Sequence, residues 1–354
     1  MPDDRSLRVS IIVACRNEKD DIRDLLESII LQDLGGSFEA IIADGMSDDG
    51  TRDILEEYSA RYSCLRIVDN PGRIVSTGLN AAIRVAQGDL IIRMDGHTQY
   101  ASDYCRTCVE LMERTGADNV GGPARTRACS VLGRAVAAAF HSRFSTGGAK
   151  FHDVNHQGWV DTVPYGCWRK SVLESIGLFD EALVRNQDDE LNLRLLRAGG
   201  RIWQDPSIVS WYSPRSNLSK LFHQYFQYGF WKVAVIRKHR LPASWRHLVP
   251  VVCLLLNFVF LAVMAITKAM HSQELVTDAA VLWLVMAVVY SGACVAAAIC
   301  TALKREWKIL PYLPAVFATY HLSYGLGFAV GLVTFRNHRA AVPSVPAVVT
   351  KLSR

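Results

Sequence analysis

Three polar clusters, each containing a carboxylate, follow directly on short apolar runs. Cys15-Arg16-Asn17-Glu18 follows Val9–Ala14, Asp44-Gly45-Met46-Ser47-Asp48-Asp49-Gly50-Thr51 follows Ala40–Ala43, and Asp95-Gly96-His97 follows Leu90–Met94. Helix capping accounts for one or two of these residues, because Asp and Ser often start helices. It does not account for Asp95 and His97, which no helical pattern immediately follows. A carboxylate-rich pocket suits a divalent cation that bridges a diphosphate: the acids hold the metal, and the metal neutralises the phosphates. The chemistry indicated is group transfer from a nucleoside-diphosphate donor with departure of the diphosphate. Two rival chemistries lack their motifs. No GxGxxG turn follows a strand, as a dinucleotide-dependent dehydrogenase needs, and no Walker A loop is present to drive a transporter.

Such clusters need a scaffold that presents strand ends side by side. Val9–Ala14 is apolar and rich in branched residues, as a buried strand is. Ile22, Leu25, Leu26, Ile29 and Ile30 then recur at helical spacing, and Ala40–Ala43 reads as a second strand. Thr51 is placed to cap a helix carrying Ile54, Leu55 and Tyr58, and Ser76 another carrying Leu79, Ala82, Ile83 and Ala86, ended by Gly88. Leu90–Met94 is a third strand. This alternation predicts an α/β fold with a parallel sheet and helices on both faces, where ligands sit beyond the carboxyl ends of the strands. Cys105 and Cys108 form a CxxC, yet Tyr104, Cys105, Cys108 and Met112 follow helical spacing and no second Cys pair completes a zinc set. They are read as core. The nine scattered cysteines fit a reducing compartment.

Charge and hydropathy divide the chain. Residues 1–205 hold 24 Lys and Arg against 31 Asp and Glu, a net of −7; the remainder holds 15 against 3, a net of +12. The basic residues of the second part flank apolar runs, which points to a membrane and away from nucleic acid. Leu248–Thr267, Ala279–Leu303 and Ile309–Phe335 are 20, 25 and 27 residues long without a formal charge, and a span needs roughly 20. The segment Arg215–Arg246 mixes Lys and Arg with Leu218, Leu221, Phe222, Tyr225, Phe226, Trp231 and Trp245, the composition of a helix lying in the headgroup layer. Within it, Arg215 and Lys232 are candidates to hold a lipid-linked diphosphate. Met1-Pro2-Asp3-Asp4-Arg5 carries no secretory signal pattern, and the basic residues ahead of the first run place that side in the cytosol. The short loop from His271 to Asp278 suits the outside, while Arg336, Arg339, Lys351 and Arg354 give the tail a charge that three spans would put on the wrong side.

The first 200-odd residues resemble the family 2 glycosyltransferases of GT-A fold. The residues that carry the resemblance are Ser10–Glu18, Asp44…Ser47-Asp48…Gly50-Thr51, Asn70–Asn80, Gly88-Asp89…Asp95-Gly96-His97, Gly177–Glu181 and Gln187-Asp188-Asp189-Glu190-Leu191…Arg194-Leu195. The Asp-Gly-His variant, the Asn186–Asn192 run and the apolar tail are similar to the membrane-bound succinoglycan-type glucosyltransferases.

The resemblance implies a GT-A domain over 1–213, with a mixed, mainly parallel sheet and helices on both faces. A membrane-interface segment follows over 214–246, then about three spans within 247–336 (248–267, 279–303 and 309–335) and a basic tail over 337–354. It implies donor-binding roles for Ala14, Arg16, Asn17, Glu18, Asp44, Asp48, Arg73, Asn80 and Asp95, with Asp44 accepting from the uracil ring. Asp95 and His97 stand where the family has Asp-x-Asp, and would hold Mn2+ or Mg2+. An imidazole in place of a carboxylate favours Mn2+. Asp188 is the implied catalytic base, with Asp189 as its neighbour and competitor. Inverting transfer needs one carboxylate to take the acceptor's proton as the hydroxyl attacks the anomeric carbon. Gly166, Trp168 and Asp189 would border the acceptor, although Trp168 suits the core equally well. The stretch His152–Gly158 is expected to be a mobile lid. The implied partners are a UDP-sugar, a polyprenyl-diphosphate-linked saccharide and the lipid membrane. The implied place is a bacterial-type inner membrane with the catalytic domain facing the cytoplasm. Transfer to polyprenyl phosphate itself and an inactive membrane scaffold are the alternatives.

Overall fold

The computed structural model describes residues 9–215, 217–240, 248–270 and 273–337. The N-terminal Met1–Arg5, Trp245, Arg246, His271 and the basic tail beyond Asn337 lie outside the described residues. Residues 9–127 with 150–213 form one compact unit, and residues 128–149 with those from 214 onward form a second.

In the first unit the chain runs β1 (Val9–Cys15), α1 (Ile22–Ile30), β2 (Phe38–Asp44), α2 (Thr51–Arg61), β3 (Leu65–Asp69), α3 (Val75–Val85), β4 (Leu90–Met94), β5 (Thr98–Tyr100), α4 (Tyr104–Thr115), β6 (Asn119–Gly121) and β7 (Arg125–Thr126). After α5 (Val131–Phe140) and α6 (Arg143–Thr146), which belong to the second unit, it returns as β8 (Gly158–Val160), β9 (Cys167–Arg169), α7 (Lys170–Ile176), α8 (Gln187–Arg197), β10 (Ile202–Gln204) and β11 (Ser210–Tyr212). Eight strands form one sheet in the order β3-β2-β1-β4-β9-β6-β10-β8, and β5-β11-β7 form a small second sheet. The first four of the large sheet are parallel, while β9 runs antiparallel to both β4 and β6.

Alternate residues of these strands are buried on opposite faces, which is why the strands read as unbroken apolar runs. Ile11, Val13, Ile42 and Ile92 pack with Leu25, Leu26, Ile54, Cys105 and Cys108 on one face. Ile12, Ile41 and Ile91 pack with Leu79, Ile83, Leu173 and Leu191 on the other. The CxxC pair is thus core, and burial pushes both thiols well up. In the parallel register Cys15 pairs with Asp44 and Asp44 with Asp69, so the first two polar clusters leave the sheet at one level. β3 is a strand the apolar pattern did not predict, being short and half-exposed at the sheet edge. Two capping expectations also change. Gly50, at φ +97°, is the residue before α2, and Thr51 is its first helical residue. Ser76 lies inside α3, where its hydroxyl donates to the Leu183 carbonyl.

The second unit holds α9 (Leu218–His239), α10 (Val249–Ala269), α11 (Gln273–Lys304) and α12 (Leu313–Thr334). Val249–Ala269, Val276–Lys304 and Leu313–Thr334 are long and apolar enough to cross a membrane. α10 and α11 expose Val252, Leu255, Val259, Leu282, Val285 and Val288, among others, and join through a Trp283 Nε1 to Asn257 Oδ1 hydrogen bond of 3.2 Å. His321, which lies within the third run, is held by the Tyr290 hydroxyl at 3.0 Å and the Phe144 carbonyl at 2.8 Å.

Two features of this unit differ from expectation. α9 packs along α12 and does not lie free: a Cβ at Gly229 would overlap the Tyr324 carbonyl, and one at Gly327 the Phe226 carbonyl. Its Leu221, Phe230, Trp231 and Val233 are buried, and so is Lys232, which removes that lysine from the exposed cations. Residues 128–149 were assigned to the GT-A domain by the sequence, but Ala135, Val136, Ala138 and Ala139 of α5 pack with Ala298, Ala302, Leu313, Val316 and Phe317.

Candidate active site

The loops after β1 and β2 are zipped together. Asn17 and Asp48 exchange hydrogen bonds, Nδ2 to Oδ1 at 2.8 Å and the Asp48 N–H to Asn17 Oδ1 at 2.9 Å. The Asn17 N–H donates to Ser47 Oγ, and that hydroxyl donates to Asp44 at 2.5 Å. Asn17 and Met46 take positive φ to make these turns, +54° and +58°. The Glu18 N–H donates to Thr51 Oγ1, which donates in turn to Asp49. Burial alone would raise the Asp49 carboxyl, but the hydrogen bonds from Thr51 and Lys19 hold it below the usual range. Asp44 is 3% exposed and is also approached by Arg52 at 3.5 Å.

Behind β4, the Asp95 N–H donates to the Tyr100 hydroxyl and Asp95 Oδ1 accepts from the His97 N–H at 3.3 Å. Gly96 lies against the Glu18 carboxylate so closely that a Cβ would overlap Oε2. The His97 ring stands between two acids, Nδ1 3.2 Å from Asp21 and Nε2 3.8 Å from Glu18. Among the described residues no group of three or more His, Cys, Asp or Glu is arranged to hold a metal ion. The half-exposed Asp95 carboxylate fits a cation that takes few protein ligands and completes its shell with phosphate and water oxygens, as Mg2+ does. With Nδ1 turned to Asp21, Nε2 is the ring nitrogen His97 would offer such a cation.

The third element arrives from far along the chain. Asn186, at φ +61°, precedes α8 and places Asp188 in its first turn. The Asp188 carboxylate meets the guanidinium of Arg93, the one charged residue of β4, which is 5% exposed and lies 3.6 Å from Asp95 by its other terminal nitrogen. Burial raises the Asp188 carboxyl above the ordinary range against the opposing pull of Arg93. At 32% exposure it keeps contact with water. Arg93 lies over the Tyr165 ring at 5.9 Å, and the Tyr165 hydroxyl pairs with Thr98. Two residues on in the same turn of α8, Glu190 is fully buried against Arg194, whose guanidinium also reaches the carbonyls that end α7.

The glycosyl transferase family 2 profile matches residues 10–175. The succinoglycan biosynthesis protein ExoA of Rhizobium meliloti is 31% identical over 93% of this chain and 96% of its own. The chain belongs to glycosyl transferase family 2. A Methanococcus voltae family relative, dolichyl N-acetyl-alpha-D-glucosaminyl phosphate 3-beta-D-2,3-diacetamido-2,3-dideoxy-beta-D-glucuronosyltransferase, is 30% identical over 67% of this chain and 76% of its own. The mannosyltransferase PcManGT of Pyrobaculum calidifontis, solved with GDP-Man and Mn2+, superposes with a TM-score of 0.56 at 17% identity, covering 90% of this chain and 87% of that one. That likeness is one of fold, the GT-A fold.

The structure brings together Arg16, Asn17, Glu18, Asp44 and Asp48 at the ends of β1 and β2, with Ala14 on β1 beside them. It links Asp95 and His97 to Glu18, and Asp188 to Asp95 through Arg93. Asp189 shares the first turn of α8 with Asp188, and its charge raises the Asp188 carboxyl further. Arg73 is exposed on the turn closed by its N–H to the Asn70 carbonyl. Four expectations are corrected. Asn80 is buried and spends its amide on the Phe179 backbone and Glu181, so it clamps α3 to the turn before α8 and is withdrawn from the donor. Trp168 is 1% exposed, packed with Phe179, and has no face for a sugar. Gly166 is at φ +96°, where a Cβ would strike Trp168 and Asn119, and its carbonyl accepts from the Arg93 N–H. Nor is 152–158 built as a free lid: the Gln204 amide donates to the carbonyls of Lys150, Asp153 and His156, and Gln157 bonds Asp205. Arg93 is a functional candidate outside the predicted set, although its charge inside the buried apolar strand β4 signals a need for a partner.

Proposed function

We propose that this family 2 enzyme moves a hexose, glucose from UDP-glucose, onto a hydroxyl of a polyprenyl-diphosphate-linked saccharide, with inversion, in exopolysaccharide biosynthesis. One observation carries the reading: the carboxylate at the end of β4 and the carboxylate opening α8 meet the same buried guanidinium. A donor-side acid and a base candidate, 93 residues apart in sequence, thereby share one site. The whole-length similarity to a succinoglycan biosynthesis protein and the three span-length helices support a lipid-borne acceptor.

In this reading the nucleoside lies over Asp44, Asn17 and Asp48, and the diphosphate points to Asp95. Mn2+ or Mg2+ held by Asp95, with His97 recruited, would neutralise charge on the departing diphosphate. Asp188 accepts the acceptor's hydroxyl proton while the new bond forms at the anomeric carbon and the old one leaves with UDP. The three helices anchor the chain in an inner membrane with the carboxylate site in the cytoplasm, where nucleotide sugars are made. Transfer from UDP-glucose, UDP-galactose, UDP-N-acetylglucosamine and GDP-mannose, assayed on membranes carrying the full chain, tests the donor. Turnover with UDP-glucose alone or at the highest kcat/KM is expected; preference for GDP-mannose would reject the uridine assignment.

A further inference from the structure

We infer that Arg93 is the positioning residue of the transfer reaction, fixing the base Asp188 in relation to the donor carboxylate Asp95. This rests on the base assignment made above. The residue is placed for the role by its strand. β4 is buried on both faces between β1 and β9, and Arg93 is backbone-bonded to the Gly166 carbonyl at 3.1 Å. Its side chain crosses the Tyr165 ring, so the guanidinium has little freedom to move. From that fixed point one terminal nitrogen serves Asp188 and the other faces Asp95 at 3.6 Å. A guanidinium is a rigid planar fork, and such a fork sets the relation of two acceptors in a way a point charge cannot.

The charge balance suits a base. One guanidinium between two carboxylates leaves a net charge of −1, so Asp188 is held ionised without being fully neutralised. When the acceptor proton arrives, the oxygen–carbon bond forms and the electron pair of the breaking bond leaves with the diphosphate. Asp188 is then neutral, and Arg93 remains paired with Asp95. Arg93 itself neither gains nor loses a proton. It touches no reacting atom.

The test uses the full chain in detergent, with UDP titration as the binding probe and sugar transfer as the rate. Arg93→Met should lower kcat about 10²-fold, the scale of a misplaced catalytic group, while the UDP dissociation constant stays near wild type. Arg93→Lys, which keeps the charge and loses the fork, should fall between the two. Because Arg93 acts through Asp188, adding Arg93→Met to Asp188→Asn should cost little beyond Asp188→Asn alone. Wild-type turnover in Arg93→Met, UDP affinity falling in step with kcat, or multiplying losses in the double variant would each overturn the role. If Arg93→Met does not accumulate folded, the same comparisons are made with Arg93→Lys. Full activity in Asp188→Asn would instead reject the base assignment, whereas an inactive Asp188→Asn beside an active Arg93→Met rejects the positioning role alone.

Discussion

Of three successive acids at the start of α8, Glu190 should prove structural, and its replacement gives a quantitative check. Its carboxylate is fully buried and takes Arg194 Nε at 2.9 Å and a terminal nitrogen at 2.8 Å. Removing one partner of a buried ion pair costs about 3–5 kcal/mol, because the other charge is left uncompensated. Arg194 keeps its bond to the Gly177 carbonyl at 3.1 Å and those to the Ile176 and Leu178 carbonyls. Its charge therefore stays partly solvated, and the expected loss for Glu190→Ala is about 3 kcal/mol, the lower end of that range. For a unit of this size that lowers the melting temperature by roughly 6–12 °C. The assay is thermal unfolding of the full chain in detergent, followed by tryptophan fluorescence, with transfer measured well below the transition. Turnover there should stay near wild type. Glu190→Leu with Arg194→Met should recover much of the stability, since both charges are then removed together. A melting shift below about 2 °C would refute the stability reasoning, and a turnover loss matching that of Asp188→Asn would move the base to Glu190.

The raised Asp188 carboxyl has a sign that can be checked: in the proposed role Asp188 works only when ionised, so kcat/KM should fall as pH drops through its pKa, on a limb above the usual carboxylate value of about 4. A limb at or below that value would contradict burial as the dominant influence. Gly327→Leu should separate α9 from α12 and cost at least about 1–3 kcal/mol, because even its Cβ overlaps the Phe226 carbonyl. An unchanged melting curve would deny the close helix contact. Hydrogen exchange over 150–158 should be slow in wild type and faster in Gln204→Ala, which loses the three carbonyl contacts. Fast exchange in wild type would restore this stretch as a lid.

Much of the scaffold was legible in the sequence because β1, β2 and β4 are buried on both faces and so read as apolar runs, with a polar cluster directly behind each. The edge strand β3 was not legible, since its half-exposed residues carry no such pattern. Trp168 and Asn80 show a different limit. Residue type suits both a sugar site and a core clamp, and only packing against Phe179 decides between them. α5 was misassigned because its apolar face finds partners in α11 and α12, more than 150 residues later, and nothing local in its ten residues names them. Arg93 carried a local signal, a charge inside a buried strand. Its partner Asp188 lies across the fold, and spacing alone does not connect them.

In the proposed reaction Asp188 is the base of a sugar transfer from a nucleotide donor to a lipid-borne saccharide. The most direct measurement supplies radiolabelled UDP-glucose, Mn2+ and a lipid extract holding polyprenyl-linked saccharides to membranes bearing wild type or Asp188→Asn. Label should enter the lipid–saccharide fraction with wild type and fall by about 10²–10⁴-fold in the variant, with UDP binding retained. Equal incorporation by the two proteins would contradict the account.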